Sequence, residues 1–321
     1  MIARFAIPFF LLMTLVVVPL VLALLFRYTL PRKLWRRTAI ACTILLWALT
    51  GYGILCGFQQ FEVRHVEFAS ADLPDAFDGY RIVQFSDAHI ATMTGSRQWM
   101  VQRAVDSINA QHGDAIVFTG DMQNIWPDEL PVQASCFRQL KAKDGVFAVL
   151  GNHDYAVYQD CDEAAKDRNC QKTVKALRSM GFDLLLNEHR IIRRDADSIV
   201  IAGMENWGKL KRMPRRGDVK KTLAGLESPM PFTLMLQHDP SCWREKILPE
   251  CKAQLTLSGH THGGQISLFG WSPVALSYSE WGGMTYEGAR AIYVSTGLGA
   301  LIPFRLGLPG EIVVITLKKL R

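Results

Sequence analysis

Five short clusters of aspartate, asparagine and histidine stand out in this 321-residue chain as groups that could do chemistry. In order they are Asp87-Ala-His89, Gly120-Asp121, Gly151-Asn152-His153-Asp154, His238-Asp239 and Gly259-His260-Thr-His262-Gly263-Gly264. Taken singly, each has a plain explanation: Asp and Asn are ordinary turn residues, and a lone histidine at a strand end is usually a satisfied core residue. Taken together they do not, because five of the eight histidines fall inside these clusters, leaving only His65, His112 and His189 elsewhere. Imidazoles mixed with hard oxygen donors suit manganese, zinc or iron, and the absence of cysteine from the clusters argues against a structural zinc site. Asp87, His89, Asp121, Asn152, His238, His260 and His262 offer seven side chains. That is more than one divalent ion can use and enough for two ions that share a carboxylate. Two such ions about 3.5–4 Å apart can neutralise both the attacking and the leaving oxygen of an in-line displacement at phosphorus.

Residues this far apart in the chain meet only if the elements before them deliver them to one edge. Short β-branched and apolar runs precede each cluster. Strands are expected at Arg81 to Phe85, Ala115 to Thr119, Val146 to Leu150, Ser198 to Gly203, Phe232 to Gln237, Gln254 to Ser258, Ala291 to Ser295 and Glu311 to Leu317. Apolar residues at helical spacing predict helices over Arg97 to Gln111, Val132 to Lys143 and Gln171 to Met180. Alternating strands and helices indicate a layered α/β fold. In such folds ligands bind beyond the carboxyl ends of the strands, and all five clusters follow directly after a strand.

The N-terminal part is of another kind. Phe5 to Phe26 is 22 residues without a charge, about 33 Å as a helix against a hydrocarbon core of about 30 Å. Thr38 to Phe58 is a second uncharged run of 21 residues. A cleaved signal peptide would have a shorter apolar stretch and a small-residue cleavage site, and neither is visible. Residues 1–61 are therefore expected to form a membrane anchor with helices at about 5–26 and 38–58, followed by a linker over 62–80 and a soluble domain over 81–321. Pro8 and Pro19 interrupt the first run, which a transmembrane helix tolerates where neighbours satisfy the freed carbonyls. Arg27, Arg32, Lys33, Arg36 and Arg37 crowd the connector, whereas Arg4 alone precedes the first run. The positive-inside tendency then puts the connector in the cytoplasm and the soluble domain outside the bacterial inner membrane, facing the periplasm. Residues 1–61 hold six basic and no acidic groups, so the whole net charge of +6 belongs to the anchor. A neutral soluble domain has no global field to draw in nucleic acid, and none is expected as a partner.

The ordered set Asp-x-His, Gly-Asp, Gly-Asn-His-Asp, His and Gly-His-Thr-His resembles the calcineurin-like metallophosphoesterase superfamily, over about Arg81 to Gln265. The Gly-His-Thr-His-Gly-Gly-Gln tail with N-terminal membrane helices is similar to its YkuE-like, membrane-anchored bacterial branch, which borders the pyrophosphatases that cleave UDP-2,3-diacylglucosamine in lipid A biosynthesis. The resemblance implies a β-sandwich flanked by helices and a phosphate ester or pyrophosphate bond hydrolysed by metal-activated hydroxide. It also implies that one ion takes Asp87, His89 and His262, the other takes Asn152, His238 and His260, and Asp121 bridges them. His153 would protonate the leaving oxygen. Many members carry an acidic residue three positions after the bridging aspartate; here Asn124 stands there. Its side-chain oxygen can accept the imidazole N–H of His153 but supplies no charge, and Asp154 is a second candidate to orient that ring.

The substrate class is less sharply marked. Seven basic residues against one acidic lie between Lys209 and Lys221, either a solvated loop or a contact for anionic headgroups. Leu268-Phe269-Gly-Trp271-Ser-Pro-Val-Ala-Leu276 is either core packing or a wall that meets an acyl chain or the bilayer surface. The expected partners are thus the lipid bilayer and a phosphorylated small-molecule or lipid-linked substrate. A non-catalytic metal-binding membrane sensor is the main alternative, and the absence of a His-Glu-x-x-His helix argues against an amide-cleaving metallohydrolase. Cys161 with Cys170 and Cys242 with Cys251, each pair nine positions apart, are either local disulfides or plain thiols.

Overall fold

The computed structural model describes residues 2–226 and 229–321, with side chains from residue 7 onward. The chain begins as a helical hairpin. Its first arm runs through Ile2–Leu12, a π-helical turn at Met13–Val17 and Val18–Thr29; its second is Arg32–Leu55. The turn is shorter than the sequence suggests, so the basic residues from Arg32 to Arg37 lie in the first turns of the second helix rather than in a loop. Pro19 has no N–H to donate one turn back, and the helix widens just before it. The Leu15 carbonyl is taken by the Trp47 indole of the opposite arm at 3.1 Å, so the proline's cost is met by a neighbour. Two spans, Ile7–Thr29 and Arg32–Gln59, are long and apolar enough to cross a membrane, with mean hydropathies of 3.0 and 1.9. Only 6% and 17% of their most apolar stretches are buried, unlike a core helix of a soluble domain.

Twelve strands follow: β1 (Phe61–Ser70), β2 (Arg81–Phe85), β3 (Ala115–Phe118), β4 (Gly145–Ala148), β5 (Asp183–Leu184), β6 (Glu188–Arg194), β7 (Asp197–Gly203), β8 (Phe232–Leu236), β9 (Leu255–Ser258), β10 (Gly283–Glu287), β11 (Arg290–Val294) and β12 (Gly310–Lys319). They build two six-stranded sheets, ordered β1-β12-β2-β3-β4-β5 and β10-β11-β9-β8-β7-β6. Within the first, β2, β3, β4 and β5 are parallel; within the second, β7, β8, β9 and β11 are. The sheets face each other across a core of Ile82, Val117, Val313 and Ile315 from one and Ile201, Leu234, Leu257 and Tyr293 from the other. Each such branched or aromatic side chain contributes about 1.5–3 kcal/mol by burial.

The alternate residues of these strands face outward and are covered by helices. Val83, Phe85, Ile116 and Phe118 pack on Val101, Val105 and Ile108 of helix Trp99–Asn109 and on Val174 and Leu177 of helix Glu163–Ser179. Val200, Met235 and Ile292 pack on Val219, Trp243 and Ile247. The β-sandwich flanked by helices is therefore the fold. Several details differ from expectation, and β5, β6 and β10 lie outside every expected strand. The strand β1, Phe61–Ser70, spans the last residue of the expected anchor and the first part of the expected 62–80 linker, and pairs in parallel with β12 over its whole length. The helix expected over Val132 to Lys143 shrinks to Ala134–Phe137 behind a 3₁₀ turn at Pro127–Gln133, whose start is capped by the Glu129 carboxylate accepting the amides of Asn124, Ile125 and Trp126. The helix expected at Gln171 begins at Glu163 instead, capped by Asp162, whose carboxylate accepts from Ala165 N at 2.6 Å.

Candidate metal centre

Because β2, β3 and β4 run parallel in one sheet and β8 and β9 in the other, their carboxyl ends open at one edge of the sandwich. Gln84 of β2 ties the sheets there, donating to the Ser258 carbonyl of β9 at 2.9 Å and to Thr119 Oγ1 at 3.2 Å. The backbone turns sharply at each exit. Asp87, His89, Asp121, His260 and His262 all take positive φ, at 51°, 42°, 63°, 73° and 52°. Such a conformation costs about 1–3 kcal/mol per non-glycine residue and persists only where the surroundings over-determine it. Here they do. Asp87 N donates to Gly120 O at 2.8 Å, His89 N to Asp121 O at 3.2 Å and Gly259 N to His238 O at 3.0 Å. Gly259 must be glycine, since a Cβ there would lie 2.0 Å from Ser86 Oγ and 2.3 Å from Asp87 Oδ2.

The result is a buried knot of nitrogens and oxygens. His89 Nε2 and His262 Nε2 approach to 3.1 Å, and His262 Nε2 lies 3.4 Å from Asp87 Oδ1. On the other side, His238 Nε2 and His260 Nδ1 are 3.2 Å apart and converge on Asn152 Oδ1 at 3.1 and 2.8 Å. Asp121 Oδ2 sits between, 3.2 Å from His238 Nε2 and 3.7 Å from His89 Nε2. Two groups able to hold a metal ion thus emerge, Asp87-His89-His262 and Asp121-His238-His260, with a third formed by His89, Asp121 and His153.

The donor set fits a cation. His238 Nδ1 donates to the Thr119 carbonyl at 2.7 Å, which turns its Nε2 lone pair toward two further acceptors, Asn152 Oδ1 and Asp121 Oδ2. Acceptors facing acceptors in a buried site need a positive charge among them. Without an ion, a proton fills that need: burial alone lowers His238, but the charges of Asp121 and Asp87 outweigh it and hold the imidazole up at about 10. Burial pushes Asp121 up, yet His238 and His153 overcome this and hold it well below the carboxylate range. Burial and then His153 push His89 down to about 3, so the neutral ring keeps one nitrogen lone pair to offer a metal. His89 Nδ1 and His262 Nδ1 are also buried without hydrogen-bond partners.

His153 stands at the edge of this knot, sharing a group of possible ligands with His89 and Asp121. Its ring is edge-on to His89 at 4.7 Å between centroids and lies against the Tyr158 ring at 4.3 Å. Its Nδ1 meets the backbone carbonyl of Asn124, not the side chain; the Asn124 Oδ1 accepts from Ala91 N at 3.1 Å instead. Nor does Asp154 orient the ring. Its carboxylate accepts the amides of Asp121 and Gly151 at 2.8 and 2.9 Å and of Met122 at 3.1 Å, stapling the β3 and β4 exit loops together.

The family profile of the calcineurin-like phosphoesterases matches residues 80–264, from the start of β2 to just past His262. The chain belongs to the calcineurin-like phosphoesterase family. It is a hydrolase of a class that uses divalent metals. Among its relatives is the uncharacterized metallophosphoesterase YkuE of Bacillus subtilis, 31% identical over 84% of this chain and 90% of that protein. A transmembrane protein with metallophosphoesterase domain from Danio rerio is 30% identical over 89% of this chain, which spans 63% of that relative's length. The UDP-2,3-diacylglucosamine pyrophosphatase LpxG of Chlamydia trachomatis is 26% identical over 87% of this chain and 94% of its own.

Three residues of this phosphoesterase's site, Tyr158, Tyr278 and Arg305, escape a reading of the sequence. Tyr278 OH lies 2.9 Å from His260 Nε2, with Asp239 Oδ2 3.6 Å away, so that ring is held from behind. Tyr158 OH accepts from Asn152 Nδ2 at 3.0 Å, which aims the amide oxygen at the two imidazoles. Arg305 is fully buried, and one guanidinium nitrogen donates to the carbonyls of Thr296, Gly297 and Gly299 at 2.8, 2.9 and 2.6 Å. That turn backs the site, since Leu298 N and Gly299 N donate to the carbonyls of Ser86 and Asp87. None of the three belongs to a compact motif; Arg305 is marked only by its burial. The seven cysteines are free thiols, Cys170 and Cys242 among the buried ones, so neither local pair is bridged.

Proposed function

We propose that this phosphoesterase binds two divalent ions, one through Asp87, His89 and His262 and the other through Asn152, His238 and His260, with Asp121 shared. Bound there, manganese, zinc or iron would polarise the phosphoryl group and activate water for in-line attack. The chain's own residues then divide the remaining work. Asn152 is held by Tyr158 and His260 by Tyr278, so the donors need not reorganise when the substrate arrives. His153, fixed through the Asn124 carbonyl, keeps its Nε2 free to give the leaving oxygen a proton. What carries this reading is that His238 Nε2 lies 3.1 Å from Asn152 Oδ1 and 3.2 Å from Asp121 Oδ2, so that either a proton or a metal ion must stand among these acceptors. The test is hydrolysis of bis(p-nitrophenyl) phosphate by the detergent-solubilised full-length protein with manganese, together with metal analysis. Turnover that disappears on chelation supports the reading; two bound ions with no turnover on any phosphoester would make the protein a metal-binding membrane sensor.

The substrate is proposed to be lipid-linked or membrane-proximal. Residues 1–61 act as the anchor in a bacterial inner membrane and residues 81–321, reached through 62–80, as the catalytic domain. The five basic residues from Arg27 to Arg37 favour a periplasmic orientation. Arg305 N donates to the Gly53 carbonyl at 3.1 Å, and the Phe304 and Phe10 rings are 4.8 Å apart. These contacts join the back of the site to the upper end of the hairpin and favour a substrate at the membrane surface. The pyrophosphatase LpxG supplies a second reading, cleavage of a UDP-linked lipid, which a cytoplasmic orientation would favour. Assay against a panel of phospholipids and nucleotide-linked lipids separates the two.

A further inference from the structure

Between two residues of the site the chain makes an excursion that the chemistry does not use. It leaves after His262 and returns at Tyr278, whose hydroxyl is 2.9 Å from His260 Nε2. At its tip Leu268 and Trp271 are about half exposed, Leu276 is 83% exposed and Phe269 is fully exposed. Elsewhere in the described part of the catalytic domain, large exposed apolar side chains occur singly; here four stand within nine positions.

The tip is ordered. Leu268 and Trp271 exchange backbone hydrogen bonds at 2.9 and 3.1 Å, with Phe269 and Gly270 between them at φ of 53° and 81°. That is the two-residue turn in which Asn-Gly or Gly-Gly is the usual choice. A phenylalanine there pays twice, in backbone strain and in water-exposed ring, and neither cost is offset by any contact inside the domain.

The stem places this tip beside the membrane hairpin. Ser267 N donates to Leu306 O at 2.9 Å, Leu306 N donates to Gln265 O at 2.9 Å, and Gln265 Nε2 donates to Ile302 O at 2.8 Å. The same strip, residues 302–307, carries Phe304 against Phe10 and Arg305 against Gly53. Gly53 is packed so closely that a Cβ would lie 2.2 Å from the Phe304 ring. One strip thus holds the upper ends of both helices on one side and the tip's stem on the other.

We infer that the Leu268–Leu276 tip docks into the interfacial zone of the bilayer that holds the hairpin, so that the mouth of the site opens at the membrane surface. Resting on the anchored reading proposed above, this makes the substrate an amphiphile whose phosphate lies at headgroup level. Aromatic and aliphatic side chains presented together suit the headgroup boundary. The charge of Arg212 bears on both Tyr158 and Tyr278 beside the site, which suits an anionic headgroup.

The experiment is fluorescence quenching of the full-length protein in nanodiscs, comparing ordinary phosphatidylcholine with phosphatidylcholine brominated along its acyl chains. Difference spectra between the wild type and Trp271→Phe isolate Trp271 among the eight tryptophans, and Trp47→Phe provides a reference inside the hairpin. Loss of most of the emission at both positions is the expected result. Installing Leu276→Trp in the Trp271→Phe background should restore a quenchable signal. Quenching of Trp47 without quenching of Trp271 overturns the docking while leaving the anchor intact. Quenching of neither overturns both, and phosphoesterase turnover, measured separately, is untouched by either outcome. If Trp271 is unquenched by bromolipid but becomes shielded from aqueous acrylamide as protein concentration rises, the face meets a second copy instead and the inference fails.

Discussion

Gly259→Ala is a change of one methyl group aimed at the geometry of Asp87. The new Cβ would lie 2.0 Å from Ser86 Oγ, 2.3 Å from Asp87 Oδ2 and 2.8 Å from Ser86 Cβ, where ordinary contact begins at 3.4 Å. The Asp87 carboxylate would therefore have to retreat by about 1 Å, a distance that in a preorganised site can cost about 10²-fold in rate. It has little room to do so, because both its oxygens also accept from His260 N, at 3.1 and 3.0 Å. Overpacking of this kind costs about 1–3 kcal/mol, and at about 2–4 °C per kcal/mol for a domain of this size the midpoint should fall by about 2–12 °C. Metal content and turnover on bis(p-nitrophenyl) phosphate should fall much more steeply than the thermal midpoint. Adding Ser86→Ala removes the nearest atom, a hydroxyl buried without a partner, and should recover part of the stability but little of the metal, since the clash with Asp87 remains. Gly51→Ala, with nothing within 4 Å of its Cβ, is the control. Full metal content and turnover within threefold of wild type in a destabilised Gly259→Ala protein would refute the claim that the position of Asp87 governs the site.

Three further outcomes are expected. Asp121→Ala should lower occupancy of both ions, because one oxygen lies between the two donor groups; metal analysis showing two full equivalents would rule out a shared carboxylate. His153→Ala should keep both metals and lose about 10²–10⁴-fold on alkyl esters, with a smaller loss on p-nitrophenyl esters, whose leaving group needs little protonation; equal losses on both would assign the ring to phosphate positioning. In the metal-free protein His238, held up at about 10, stabilises the fold fully below its ordinary pKa of 6.5, and that contribution is lost as pH rises through 10. The same proton must leave when metal binds, so metal affinity, followed by chelator competition, should tighten as pH rises from 6.5 toward 10. A flat profile would show that His238 carries no proton in the free site.

The metal-capable residues were legible because each cluster is contiguous and follows a strand whose apolar character is plain. Phe85, Phe118 and Leu236 announce β2, β3 and β8, and parallel strands deliver whatever comes next to the same edge. What lay beyond reading depended on partners distant in the chain. β1 alternates poorly, with Val63 and Val66 out of phase, and owes its place to β12 at the other end of the chain. Tyr158, Tyr278 and Arg305 act through contacts that no spacing in the sequence betrays. The role expected for the Asn124 side chain went instead to its own backbone carbonyl. No residue substitution can be read from the sequence as changing a carbonyl, so the departure from an acidic residue at that position matters less than its side chain suggested. Asp154, offered as a second group to orient the His153 ring, instead accepts backbone amides.

The contact between Phe304, Arg305 and Gly53 bears on what counts as the enzyme. A fragment beginning after residue 61 would lose Phe58, which is fully buried in the core beneath helix Trp99–Asn109. It would also strip the Arg305 amide of its acceptor and uncover the Phe304 ring, one residue away from the guanidinium that holds the turn behind Asp87 and His262. The hairpin is thus not a tether from which a finished hydrolase hangs. It forms part of the floor on which the candidate metal site is built, and the rigidity of the domain that follows depends on residues of the hairpin.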